Sequence, residues 1–292
     1  MSWRVICVSQ TAHLSVRLSN LVVRQEEEIT VPLEDVGVVI LESRAVTVSA
    51  ALLDALIQHK VALFVCDERH LPSGQLLGYQ QHSRQSKVIQ SQLNLSLPFK
   101  KRLWQAVVMQ KIRNQGEVYR LIKGRQEEQF NALVRSVRSG DSLNREATAA
   151  RLYFSELLPS GVTRGSDHPV NDALNYGYAI IRGALARSLA SYGFLCSYGI
   201  HHANELDNFA LADDFMEPFR PFVDAVVFGK MSGHEGSLSK EMRGTLVAVL
   251  TGRACVDGKE NTVLRAAEVC AQSLVTAISE NDPEALRLPA LV

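Results

Sequence analysis

The stretch Gly199–Pro221, GIHHANELDNFALADDFMEPFRP, sets two adjacent histidines ahead of five carboxylates: Glu205, Asp207, Asp213, Asp214 and Glu217. A neutral imidazole nitrogen combined with carboxylate oxygens makes a mixed N/O donor set. Such a set suits Mg²⁺ or Mn²⁺ better than a thiolate-preferring metal. The string HHANE is neither HExxH nor HxxEH, so the zinc-protease pattern is not made. The ordinary alternative is a hydrogen-bonded loop histidine followed by acids that cap a helix.

A third element of such a site must come from elsewhere in the chain, and Glu146 is a candidate. In SLNREATAARLYFSELLP, Leu143, Ala147, Ala150, Phe154 and Leu157 recur at helical spacing and form an apolar stripe. Glu146 lies at its edge, and the small Ala149 and Ala150 one turn on leave space above the carboxylate. The helix NDALNYGYAIIRGALARSLASYGF (171–194), apolar along Leu174, Tyr178, Ile181, Leu185 and Leu189, ends just before the histidines. The next helix is expected to start near Asp213 or Asp214, either of which can serve as its N-cap. Phe215, Phe219, Phe222 and Val226 then face the core, with Asp214, Glu217, Pro221 and Asp224 opposite. Pro218 is tolerable in a first turn, and a helix start favours the charge of Glu217.

The positioning elements change character along the chain. Residues 3–9, 14–20, 28–33, 36–43 and 61–67 are short, β-branched and set off by polar breaks, so they read as strands. Residues 49–60 read as a helix, and LPSGQ (71–75) as a turn. Beyond Pro98 a helical period takes over, over 100–138, 143–158, 171–192, 211–229, 237–251 and 262–279. The expected fold is α+β. It comprises a β-rich N-terminal domain (1–80), a Gln- and Ser-rich linker (81–98) and a larger all-α C-terminal domain (99–292).

The 292 residues carry no formal net charge and are 46% hydrophobic, which excludes a protein basic all over but not a local basic face. One such face is offered by FKKRLWQAVVMQKIRNQGEVYRLIKGR (99–125), with eight Lys/Arg against one Glu. Lys100, Lys101, Arg102, Lys111 and Arg113 are its candidate phosphate contacts, which would position DNA without reading its sequence. The alternative is a solvated helix face. Arg220 can reach a phosphate at the site or pair with Asp224 at i+4. The five cysteines are odd in number and without CxxC spacing, which suggests buried thiols in a reducing, cytoplasmic setting. No signal peptide or membrane span is recognisable.

Taken in order, EATAARLYF, NDALNYGYAIIRGALARSLASYGF and GIHHANELDNFALADDFMEPFRPFVDAVV resemble the integrase of CRISPR adaptation, the metal-dependent Cas-one family, in the version accompanying type II systems. The β-rich part, with VPLEDVGVVILES and ALLDALIQHKVALFVCDERHLPSG, is similar to the same family. The resemblance implies a Mg²⁺ or Mn²⁺ site built from Glu146, one of His201 and His202, and Glu217. His202 fits the family's spacing from the EPFRP carboxylate better. Asp214 becomes a supporting or second-metal residue. The implied activity is that of a DNA endonuclease and integrase: a 3′-hydroxyl of incoming spacer DNA attacks a phosphodiester of the repeat array, by transesterification, with hydrolysis as a side activity. The implied partners are double-stranded DNA, a second copy of the chain paired through the β-rich domain, and a small second adaptation protein, Cas-two. No covalent intermediate or ATP site is expected, and no GxxxxGK[ST] is present.

Overall fold

The computed structural model describes residues 4–78, 82–125, 128–231, 233–234 and 236–292. It divides into two compact units, Met1–Ser83 and Arg84–Val292.

Among the described residues the first unit holds two four-stranded sheets. One is ordered β1 (Arg4–Val8), β5 (Val36–Leu41), β7 (Ala62–Cys66), β8 (Pro72–Leu76); the other β4 (Glu28–Pro32), β3 (Asn20–Arg24), β2 (Ala12–Arg17), β6 (Val46–Val48). The central strand β5, VGVVIL, is buried along its whole length, as expected of a strand with parallel neighbours on both sides. Helix α1 (Ala50–Gln58) starts at Ser49, whose hydroxyl accepts from Leu52 N, and contributes Leu52 and Leu56 to the core with Leu14, Leu21 and Val39.

Three expectations change here. LPSGQ is not the turn but strand β8, antiparallel to β7. The reversal lies just before it, where Asp67 Oδ1 accepts from Arg69 N and Leu71 N at 2.9 Å. Pro72 is tolerated as the first residue of an edge strand, where its missing N–H costs no ladder bond. Strands β3 and β6 are additions, and the expected strand 14–20 is interrupted by a hairpin at Leu18 and Ser19, both at positive φ.

The second unit is mainly helical. Part of the stretch expected as a linker forms α2 (Gln85–Leu93), anchored by Gln92, whose side chain bonds Leu195 O, Tyr198 O and Leu195 N. The expected helix 100–138 is two helices, α3 (Leu97–Lys123) and α4 (Glu128–Ser136). Helix α3 starts at the Ser96 cap and stops at Gly124, whose φ of 69° favours a residue without Cβ. There follow α5 (Arg145–Leu157), α6 (Pro169–Ser191), α7 (Ala210–Met216), a 3-10 turn at Glu217–Phe219, α8 (Arg220–Lys230), α9 (Lys240–Val247) and α10 (Val263–Glu280). A hairpin, β9 (Arg253–Val256) with β10 (Lys259–Thr262), adds β structure to a region expected to be all helix. The α+β class and its β-then-α order are as anticipated.

Two packing relations place the site. Helix α3 runs against α4, α5, α8 and the 3-10 turn, while α6 packs on α7, α8, α9 and α10. The approach of α6 to α8 is close because Gly177 lacks a side chain: a Cβ there would lie 2.4 Å from Val223 Cγ1. Among the described residues no helix is long and apolar enough to cross a membrane. Cys66, Cys196 and Cys270 are buried, whereas Cys7 is exposed.

Candidate metal centre

Glu146 stands in the first turn of α5. Asp141 organises that start: its Oδ1 accepts from Arg145 N at 2.8 Å and its Oδ2 from Glu146 N at 3.0 Å. The buried face of α5 is not the expected stripe, since Leu143 and Ala147 are exposed; it runs through Ala149 and Tyr153. Glu146 falls on that same face, at i−3 and i−7, so it points inward rather than along an edge.

Glu217 opens the 3-10 turn between α7 and α8 and is 5% exposed. Neither Asp213 nor Asp214 caps a helix, because α7 already begins at Ala210. Pro218 instead sits in the 3-10 turn, and Pro221 falls in the first turn of α8. The side expected to lie opposite the core is buried as well: Asp214, Glu217 and Asp224 are all interior. Buried carboxylates demand partners, and each has them.

The partners of Glu146 and Glu217 meet in one cation. Lys111 Nζ lies 2.7 Å from Glu146 Oε1 and also pairs with Glu217 Oε2. Arg220 Nε pairs with Glu217 Oε1 at 2.9 Å, and the same guanidinium lies 4.6 Å over the Tyr178 ring. Burial works to raise the Glu217 pKa, but Lys111 and Arg220 outweigh it and hold the carboxyl below its usual range. Lys111 is therefore no surface phosphate contact, since it is buried among carboxylates. A signal for this was present in the sequence: Lys111 shares the helical spacing of Trp104, Val107, Val108, Gln115 and Val118, all buried. Lys101, Arg102 and Arg113 are exposed on α3, and Lys100 lies 4.7 Å over the Tyr198 ring.

Asp214, fully buried, builds the histidine loop. Its Oδ2 accepts from Ile200 N and His201 N at 2.6 and 3.0 Å, and its Oδ1 accepts from His202 N at 3.1 Å. The loop closes tightly enough that a Cβ at Gly199 would lie 2.5 Å from His202 O and 2.7 Å from Asp214 Oδ2. His202 Nδ1 lies 2.7 Å from Asp214 Oδ1. A carboxylate accepts only, so Nδ1 carries the proton and Nε2 keeps the lone pair. The bond to Asp214 raises the His202 pKa above 6.5 against the effect of burial, with smaller contributions from Glu217 and Glu146. His201 is placed differently: its ring stacks on Trp104, centroids 4.0 Å apart and 4° from parallel.

Among the described residues no three His, Cys, Asp or Glu side chains are gathered at metal-holding distance. The two glutamates nevertheless converge on one cationic atom, and both act electrostatically on the His202 imidazole. That donor set fits a hard divalent ion in the place of the ammonium.

A match to the family described as CRISPR associated protein Cas1 spans residues 5–240. The chain is 38% identical over its full length to the CRISPR-associated endonuclease Cas1 of Neisseria meningitidis serogroup C (strain 8013), covering 97% of that protein. The chain belongs to the Cas1 family. Its fold is similar to a casposase bound to integration product, with a TM-score of 0.73, 16% identity, and coverage of 97% of this chain and 92% of that one. It is also similar to a chain of a Cas6-RT-Cas1–Cas2 complex, with a TM-score of 0.70 and 22% identity, covering 97% of this chain and 36% of the larger one.

Two residues outside the expected set tie together the elements that carry the site. The first is Asn114 on α3, whose Nδ2 donates to Pro218 O at 2.7 Å and to Pro289 O at 2.9 Å, while its Oδ1 accepts from Leu291 N at 3.1 Å. One buried amide thus ties α3, the turn carrying Glu217 and residues 289–291 together. Asn114→Ala leaves those backbone groups unpartnered at ~1–3 kcal/mol each, so urea denaturation is expected to show a loss on the order of 3 kcal/mol.

The second is Asp224. It accepts from Tyr153 Oη at 3.0 Å and from Tyr178 Oη, with Arg220 and Arg164 nearby, and was not paired by Arg220 as the i+4 spacing allowed. Burial pushes its carboxyl up to about 6, against the two phenols and the two arginines, which pull it down. Between the unfolded value near 3.8 and about 6, the folded form holds a proton that the unfolded form lacks. The charged carboxylate therefore opposes folding above about pH 6, and this penalty is absent below the unfolded value. Asp224→Asn is expected to shift the melting temperature more favourably, relative to wild type, at pH 8 than at pH 4.5. Equal shifts at both pH values would count against the buried charge.

Proposed function

We propose that the chain is a metal-dependent DNA endonuclease and integrase of CRISPR adaptation, acting in the cytoplasm to insert spacer DNA into the repeat array. One observation carries this reading: Glu146 and Glu217, from separate elements, converge on a single cation and both act electrostatically on His202, whose Nε2 is kept as an acceptor by Asp214. Support also comes from the endonuclease name of the Neisseria meningitidis relative and from the likeness to a casposase bound to integration product.

In the reaction, a 3′-hydroxyl of the incoming duplex forms a bond to phosphorus in the repeat. The phosphorus–O3′ bond there breaks, and the released oxygen takes up a proton to become a new 3′-hydroxyl. Mg²⁺ or Mn²⁺ bound at the site would lower the pKa of the attacking hydroxyl and stabilise charge on the phosphoryl oxygens. Glu146, His202 and Glu217 would hold the ion. Asp214 fixes the tautomer and orientation of His202, and Arg220 keeps the Glu217 carboxylate turned inward. Exposed Lys101, Arg102 and Arg113, with Lys100, would grip phosphates along α3. Hydrolysis follows when water takes the place of the hydroxyl.

The partners we assign are double-stranded DNA, a second copy of the chain and the small Cas-two protein. The Cas1–Cas2 assembly among the similar structures supports the last of these. Pairing of copies would use the β-rich unit, where the edge strand β4 leaves Ile29 exposed.

The test is strand transfer of short duplex DNA with free 3′-hydroxyls into a supercoiled plasmid carrying a repeat array. Wild type, Glu146→Ala, His202→Ala and Glu217→Ala would be compared with Mn²⁺ or Mg²⁺, with and without the small partner. Joining by wild type and failure of all three variants, with DNA binding retained, is the expected result. If wild type binds DNA but joins none under any condition, a non-catalytic DNA-binding scaffold takes its place. Continued joining by His202→Ala alone would move the imidazole role to His201.

A further inference from the structure

Lys111 is a lysine that the helical pattern of α3 places in the core, 9% exposed, with its ammonium between two carboxylates. Its burial has a clear electrostatic reason. Glu146 and Glu217 brought together in a low-dielectric interior repel, and a carboxylate as buried as Glu217 is costly without a counter-charge. Lys111 bridges both, while Arg220 contacts Glu217 alone. The four groups sum to zero charge, so the cluster is balanced without any added ion.

That balance has a consequence for metal binding. A divalent ion held by the same two carboxylates would lie beside an ammonium already 2.7 Å from one of them. Two cations cannot share those oxygens at contact distance without strong repulsion. One must leave.

Resting on the metal-site reading above, we infer that Lys111 is the exchangeable counter-ion of the centre. Its ammonium holds Glu146 and Glu217 together before metal arrives, and must withdraw from them when a divalent cation binds. Lys111 thus acts as a positioning residue with two opposed effects: it preserves the site's geometry without metal and lowers the affinity for metal. A residue that merely braced the fold would have only the first effect.

The test uses full-length protein and Mn²⁺ itself as the probe, with binding measured by calorimetry and folding by circular dichroism and thermal melting. Wild type, Lys111→Gln, Lys111→Met and Glu217→Gln are compared. The Lys111 variants are expected to melt at lower temperature without metal, yet to bind Mn²⁺ tenfold or more tightly than wild type. Folded Lys111 variants whose Mn²⁺ affinity is unchanged or weaker would overturn the inference. Should neither variant fold, wild type decides alone, by acetic anhydride labelling of lysines read by mass spectrometry. Lys111 labelling is expected to rise several-fold at saturating Mg²⁺ relative to Lys100 and Lys101, and unchanged labelling would overturn the exchange. Failure of the underlying site reading looks different: wild type would then show no saturable Mn²⁺ binding that Glu217→Gln removes.

Discussion

Glu217→Gln is expected to abolish metal-dependent strand transfer and to lower the melting temperature of the metal-free protein. Both effects follow from one buried carboxylate with two cationic partners, Lys111 and Arg220. Removing its charge would delete a proposed ligand, and it leaves Lys111 with Glu146 as its contacting carboxylate and Arg220 without its contacting one. Breaking a buried ion pair from one side costs ~3–5 kcal/mol. Glutamine keeps acceptor oxygen and Glu146 still pairs Lys111, so the lower end, about 3 kcal/mol, is expected. At about 2–4 °C per kcal/mol for a unit of this size, that is a drop of roughly 10 °C. The sign of the pH dependence is fixed by the lowered Glu217 pKa. Its stabilising charge is fully present above the unfolded value near 4.5 and is lost as pH falls through the lower folded value. Melting temperatures of wild type and Glu217→Gln should therefore converge in acid. A variant that binds Mn²⁺ and joins DNA like wild type would remove Glu217 from the site.

Asp214→Asn is expected to weaken metal binding ~10–100-fold, the usual cost of losing a group that orients a histidine ligand. Asp214 accepts three backbone N–H groups and the His202 ring with two oxygens. Asparagine offers one oxygen, so its amide N–H₂ must face donors on one side, and buried N–H groups of the Ile200–His202 loop lose their acceptor. The variant also alters the pH profile. If His202 is a ligand as proposed, the metal would compete in wild type with a proton on His202, whose pKa lies above 6.5 chiefly because of the Asp214 bond. Metal affinity should fall as pH drops through that raised value. In the metal-free protein the same shift has the opposite sense: the protonated His202–Asp214 pair stabilises the fold in acid, and this contribution is lost as pH rises through the folded value. Asp214→Asn should move the fall in affinity to lower pH, and calorimetric titrations of Mn²⁺ at several pH values would show it. An unchanged midpoint would mean that Asp214 builds the loop without tuning the imidazole.

The sequence by itself determined the α+β order, the apolar line of α6 through Leu174, Tyr178, Ile181, Leu185 and Leu189, and the residue types from which a site could be drawn. Those features are local: β-branched alternation and helical spacing express which side of an element meets the core. Boundaries were less legible where one residue decides them. Gly124 ends α3 within a continuous helical pattern, and LPSGQ carries turn residues yet completes a sheet edge because β7 needs a neighbour. The α5 stripe was read one position off, since alanines at 147, 149 and 150 do not by themselves say which faces inward.

Only the tertiary structure decided which charges meet. Lys111 reads as one of eight basic residues offered to phosphates along a helix, and becomes an interior ion only because α3 packs against both α5 and the Glu217 turn. Asp214 reads as a helix cap, and becomes the acceptor of a whole loop only because that loop folds back over α7. His201 and His202 are chemically alike in sequence; one stacks on Trp104 and the other turns its Nδ1 to Asp214. The reason is physical. A buried charge must be matched by whatever the packing brings to it, and that match runs between segments whose separation in sequence carries no trace of it.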